Sequence, residues 1–107
     1  MKLNDVPFET IKNGTKTIEL RLYDEKRRKI KIGDTICFKE KASTIKAIVK
    51  ALHIFRNFDE LYAALPLDKC GYTADELATA SPEDMLEYYT KEQIEKYGVV
   101  GIEIEVI

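Results

Sequence analysis

The chain has 107 residues, 45% of them hydrophobic and 34% charged, with a formal net charge of −2. That size suits one domain over residues 1–107, and that balance of apolar and charged residues excludes wholesale disorder. No run approaches the roughly 20 apolar residues of a bilayer-spanning helix, and the opening Met1-Lys2-Leu3-Asn4-Asp5-Val6-Pro7 lacks the apolar core of a secretory signal, so a cytoplasmic protein without a membrane anchor is expected.

In chain order, Asn4-Asp5 can cap a short helix, with Pro7 tolerated in its first turn and Phe8 and Ile11 on one face. Gly14 suits the left-handed position that closes it. Residues 17–23 alternate: Ile18, Leu20 and Leu22 point one way, and Thr17, Glu19, Arg21 and Tyr23 the other. This predicts a strand with one buried and one polar face. A basic loop, Lys26-Arg27-Arg28-Lys29-Ile30-Lys31, and the turn Gly33-Asp34 lead to a second strand over residues 35–39. Residues 44–55 read as a long strand with a bulge where the register changes. Asn57 with Glu60 has the capping-box form and opens a helix over residues 58–65, stopped by Pro66. Residues 67–80 give a loop at Cys70-Gly71-Tyr72 and a helical turn within 74–80. Ser81-Pro82 starts a helix whose apolar face holds Met85, Leu86 and Tyr89. Thr90 with Gln93 caps another, ended by Gly98, and Val99 to Ile107 alternate as a closing strand. Short strands without a regular βαβ rhythm predict an α+β fold: a small, mostly antiparallel β-barrel with flanking helices.

Charge is divided along the chain. Residues 1–50 hold 13 Lys/Arg against 7 Asp/Glu, and residues 51–107 hold 4 against 12. The basic loop is either a polyanion-binding surface or a solvated turn, and folding can bring the two halves together and cancel the field. Cys37 and Cys70 form no CxxC, and with one histidine they complete no zinc set. Two reduced thiols, no metal and no cofactor are expected. His53 shares a strand face with Val49, Ala51 and Phe55 and reads as a half-buried structural histidine. Asp84, Glu87 and Tyr88 read as the exposed face of a capped helix.

The densest chemistry lies in Gly14-Thr15-Lys16-Thr17-Ile18-Glu19-Leu20-Arg21. Glu19 and Arg21 leave the same strand face about 7 Å apart, and Lys16 sits on the turn before them. Arginine offers a bidentate fork, lysine a point charge, and glutamate accepts donors from a base or sugar. Spacing alone favours a plainer reading, a surface Glu19–Arg21 ion pair worth under ~1 kcal/mol.

The pattern Gly-x-Lys-x-x-Glu-x-Arg, matched by Gly14, Lys16, Glu19 and Arg21, resembles the signature of the ASCH domain, a branch of the PUA-like superfamily. Phe8-x-x-Ile11, Tyr23-Asp24, Ile32-Gly33-Asp34, Phe55-x-x-Phe58-x-x-Leu61 and Tyr97-Gly98-Val99-Val100-Gly101-Ile102 extend the resemblance over nearly the whole chain. It implies a five- or six-stranded barrel with a cleft that takes RNA or a nucleotide-like ligand. Lys16, Glu19 and Arg21 would line that cleft, joined by Tyr23, with Arg27 and Arg28 reaching phosphates and Tyr23, Tyr72, Tyr88, Tyr89 and Tyr97 available for stacking. The rival expectation is enzymatic. One small bacterial ASCH group hydrolyses the amide of N(4)-acetylcytidine with a lysine matching Lys16, although it carries threonine where this chain has Glu19. Lys16 and Glu19 would then be catalytic, and Glu87 or Glu92 the acid from the second half. The resemblance leaves the oligomeric state open.

Overall fold

A computed structural model describes residues 10–40 and 42–107. The expected start of the first helix, from Asn4 to Phe8, lies outside them. Residues 10–12 are its last helical residues, and Gly14, at φ +83°, closes it with its N–H donating to the Ile11 carbonyl. The strands are β1 (Ile18–Leu22), β2 (Thr35–Glu40), β3 (Ser43–Phe55) and β4 (Val99–Val106). The α-helices are α1 (Phe58–Ala64), α2 (Ala74–Leu77) and α3 (Lys91–Tyr97), with 3₁₀ turns at Arg27–Lys29, Leu67–Cys70 and Pro82–Glu87.

All strand pairings are antiparallel, in the order β1-β4-β3-β2, and the sheet curls into a half-barrel with the helices on its flanks. The α+β architecture is as expected, but four described strands stand where the resemblance implied five or six. The curl has two physical sources: the right-handed twist of every strand, and a bulge between Val49 and Ala51 that bends the long β3.

That bulge also redistributes the core. Before it, Ile45, Ala47 and Val49 face the same side as Ile36 and Phe38 of β2 and Val100, Ile102 and Ile104 of β4, and these pack with Ile11 into one cluster. After it the parity changes. Leu52 packs on that first cluster, whereas Phe55 packs on a second one, built from Ile18, Leu20, Leu22, Val99, Phe58, Leu61, Cys70 and Met85. The reading that puts His53 on one face with Val49 is therefore corrected, because the inserted residue separates them. His53 is half-buried, with Nε2 3.0 Å from Glu103 Oε1.

The helical elements follow their caps. Asn57 accepts the Glu60 amide at α1, and reciprocal capping boxes form at Thr73/Glu76, Ser81/Asp84 and Thr90/Gln93. Residues 82–87 make a 3₁₀ turn in place of the expected α-helix, and of the three residues assigned to its apolar face Met85 is buried and Leu86 is exposed. Among the described residues, no helix is long and apolar enough to cross a membrane.

Candidate ligand-binding cavity

Cross-strand partners share a sheet face, and β4 decides where the signature points. Glu19 lies opposite Ile102 and Arg21 opposite Val100, so both charged side chains leave β1 on the sheet face that carries the first hydrophobic cluster. The polar face of β1 is thus covered, not solvated. Glu19 is 5% exposed, Lys16 9%, and the Arg21 side chain 19%. The plain surface ion pair is excluded by this burial.

Lys16 is held from both ends of its loop. Its N–H donates to the Thr10 carbonyl, and the N–H of Thr17 donates to the Lys69 carbonyl, which ties the start of β1 to the 3₁₀ turn at Leu67–Cys70. The aliphatic stem of Lys16 runs over Gly71. A methyl group at that glycine would stand 3.3 Å from Lys16 Cδ, and the residue has φ +109°. Glycine there serves both the left-handed backbone and the close approach. Lys16 Nζ donates to Glu19 Oε1 at 3.2 Å, and Arg21 Nε lies 3.7 Å from the same oxygen. The other carboxylate oxygen, Glu19 Oε2, is buried without a hydrogen-bond partner. A buried carboxylate oxygen left without a hydrogen bond is costly, so it calls for a donor.

These groups border a cavity of about 800 Å³ along β1, lined by Lys16, Glu19, Leu20 and Arg21 on one side. The opposite side comes from α1 and the 70–89 segment and carries Tyr62, Tyr72, Tyr88 and Tyr89, with Glu76, Asp84 and Glu87. Tyr72 donates to Asp84 Oδ2 at 2.7 Å and accepts from the Tyr62 hydroxyl at 2.6 Å. This order follows because an ionised carboxylate only accepts. Burial, reinforced by the hydrogen bond donated to Asp84 and by its charge, drives the Tyr72 phenol well above the ordinary tyrosine range; burial also raises Tyr62. The Cys70 thiol, another wall group, is pushed up to about 11 by burial, with Asp68 and Glu19 adding to the rise and Lys16 opposing it. It is a neutral thiol near pH 7 and not an activated nucleophile.

The structure brings together Lys16, Glu19 and Arg21, and with them Tyr72, Tyr88, Tyr89 and Glu87. Others lie elsewhere. Tyr23 packs on the first hydrophobic cluster, with the Arg28 guanidinium 4.4 Å from its ring centre. Arg28 also donates to the Tyr97 carbonyl, and Arg27 pairs with Asp24 at 3.1 Å. Tyr97 packs on the second cluster, under Lys96, and Glu92 lies on α3 outside the cavity wall. Sequence reasoning missed Tyr62, whose position one turn beyond Phe58 on a capped helix was the available signal. The reading of Asp84 as an exposed acid holds, and nothing in the sequence announced its tyrosine partner. Among the described residues, no group of three or more His, Cys, Asp or Glu side chains could hold a metal ion.

The whole chain matches known folds. It is similar to the crystal structure of hypothetical protein PH0355, with 38% identity and a TM-score of 0.83 over 100% of this chain and 96% of that one. It is also similar to the solution NMR structure of protein PF0455 from Pyrococcus furiosus, with 38% identity and a TM-score of 0.74 over 100% and 94%. No curated protein matches it. The ASCH domain model matches residues 1–107, and with the signature converging on one cavity wall, the chain belongs to the ASCH domain family.

Proposed function

We propose that this protein binds RNA or a nucleoside-like ligand in the cavity beside β1, with Lys16, Glu19 and Arg21 as its polar contacts. The observation that carries the reading is Glu19, a buried carboxylate with one oxygen lacking a protein partner, on the wall of a cavity that also carries four tyrosines. A nucleobase supplies what that site lacks: N–H donors for the carboxylate and a flat apolar face for the rings. Family membership supports the same class of ligand.

The test is a calorimetric or NMR titration of ribonucleosides and a short single-stranded RNA into the wild type and Glu19→Gln. Binding weakened at least tenfold by the substitution supports the reading. Equal binding by both proteins, or none by the wild type, overturns it. A second reading is favoured by one observation, that Glu87 lines the same cavity as Lys16. On that reading the protein hydrolyses N(4)-acetylcytidine or a related acylated nucleoside. Chromatography after incubation decides it: cytidine release that disappears in Lys16→Ala adds catalysis to binding, and no release confines the protein to binding.

A further inference from the structure

Phosphates govern most protein–nucleic acid contacts, and they call for a net positive site. The cavity has the opposite balance. Lys16 and Arg21 are its only cations among the described residues, against the carboxylates of Glu19, Glu76, Asp84 and Glu87. Both cations already lean on one oxygen, Glu19 Oε1, at 3.2 and 3.7 Å. Glu76 and Asp84 are held in place as acceptors, Glu76 by the Thr73 amide and Asp84 by the Tyr72 hydroxyl and the Ser81 amide. The nearby basic run is not aimed inward, since Arg27 and Arg28 are committed to Asp24, Tyr23 and Tyr97. A phosphate monoester bringing almost two further negative charges would therefore meet repulsion from fixed acids. A neutral base would meet no such repulsion, and its N–H donors and flat faces match the Glu19 carboxylate and the tyrosines of the wall.

Building on the binding function above, we propose that the cavity is a nucleobase site that selects against phosphate: it accepts the uncharged nucleoside unit, free or presented by an RNA whose phosphates stay outside, and rejects the 5′-monophosphate. Glu76 and Glu87 act through the field they set, with the Glu19 carboxylate as the directional acceptor.

The experiment titrates cytidine, adenosine, uridine and guanosine, and then their 5′-monophosphates, into the full chain at one ionic strength. The expected result is that the best-bound nucleoside binds at least tenfold more tightly than its monophosphate. In Glu76→Gln/Glu87→Gln, where glutamine at position 76 can still accept the Thr73 amide, that ratio narrows at least threefold, with the fold checked by circular dichroism. A single-stranded octaribonucleotide in a further arm identifies the source of the base: tighter binding than the nucleoside assigns it to RNA, and weaker binding to a free nucleoside. Both leave the charge selection in place. A monophosphate that binds as tightly as its nucleoside, or a ratio unmoved by the double substitution, overturns this inference while leaving nucleoside binding intact. Failure of every nucleoside and of the RNA to bind overturns both.

Discussion

Glu19 is costly to the fold, and under the proposed function that cost serves the site. It sits buried with one oxygen paired and the other without a partner, so its desolvation is only partly offset by Lys16 and Arg21. Arg21 is the more exposed of the two cations. Arg21→Ala is expected to lower nucleoside affinity about tenfold, roughly 1.4 kcal/mol, and to lower the melting temperature as well, because it removes one of the two cations that offset the burial of Glu19; calorimetry and thermal denaturation measure the two together. Gly71 bears on the same group from the other side. Gly71→Ala puts a side chain at φ +109° and a methyl against the Lys16 stem. It is expected to destabilise the protein by about 1–2 kcal/mol, from left-handed strain, and to weaken nucleoside binding by displacing Lys16. Denaturant titration and ligand titration of that variant check both.

At the scale of elements, the site depends on how closely β1, β4 and α1 pack. The glycine at position 101 faces Leu20 across the ladder and permits this. A methyl group there would stand 2.7 Å from Leu65 Cδ1 and 3.1 Å from Ile18 Cγ2. Gly101→Ala is therefore expected to cost about 1–3 kcal/mol through overpacking, read as a lower denaturation midpoint at unchanged slope. The elements themselves were legible because their signals are local: alternation in β1 and β4, caps at Asn57 and Thr90, and the stop at Gly98. Residues 82–87 departed from expectation for the same kind of reason. The Ser81 cap and Pro82 specify where a helical segment starts, not whether it continues as α or 3₁₀.

For the whole molecule, the buried wall groups give stability a pH dependence. Cys70 is raised from 9.0 to about 11 on folding, and Tyr62 and Tyr72 are raised above 10.0. Each binds its proton more tightly in the folded state. Their contribution is therefore complete below the unfolded pKa values and is lost as pH rises through the folded ones. Urea denaturation is expected to show stability declining above about pH 9, and Cys70→Ala should flatten the first part of that fall. A stability profile unchanged up to pH 11 in the wild type would contradict it.

By itself the sequence determined the order of the strands and helices, the bulge in β3 and the grouping of Lys16, Glu19 and Arg21 on one short stretch, since period, caps and motif spacing are properties of neighbouring residues. Tertiary structure alone decided that the polar face of β1 is buried, because its register against Val100 and Ile102 puts Glu19 and Arg21 on the face of the first hydrophobic cluster. It also decided that Tyr62, Tyr72 and Asp84 form one wall, and that Arg27 and Arg28 turn to Asp24, Tyr23 and Tyr97. Those outcomes depend on residues far apart in the chain meeting in space, and on which charge reaches which partner first. No local pattern encodes that.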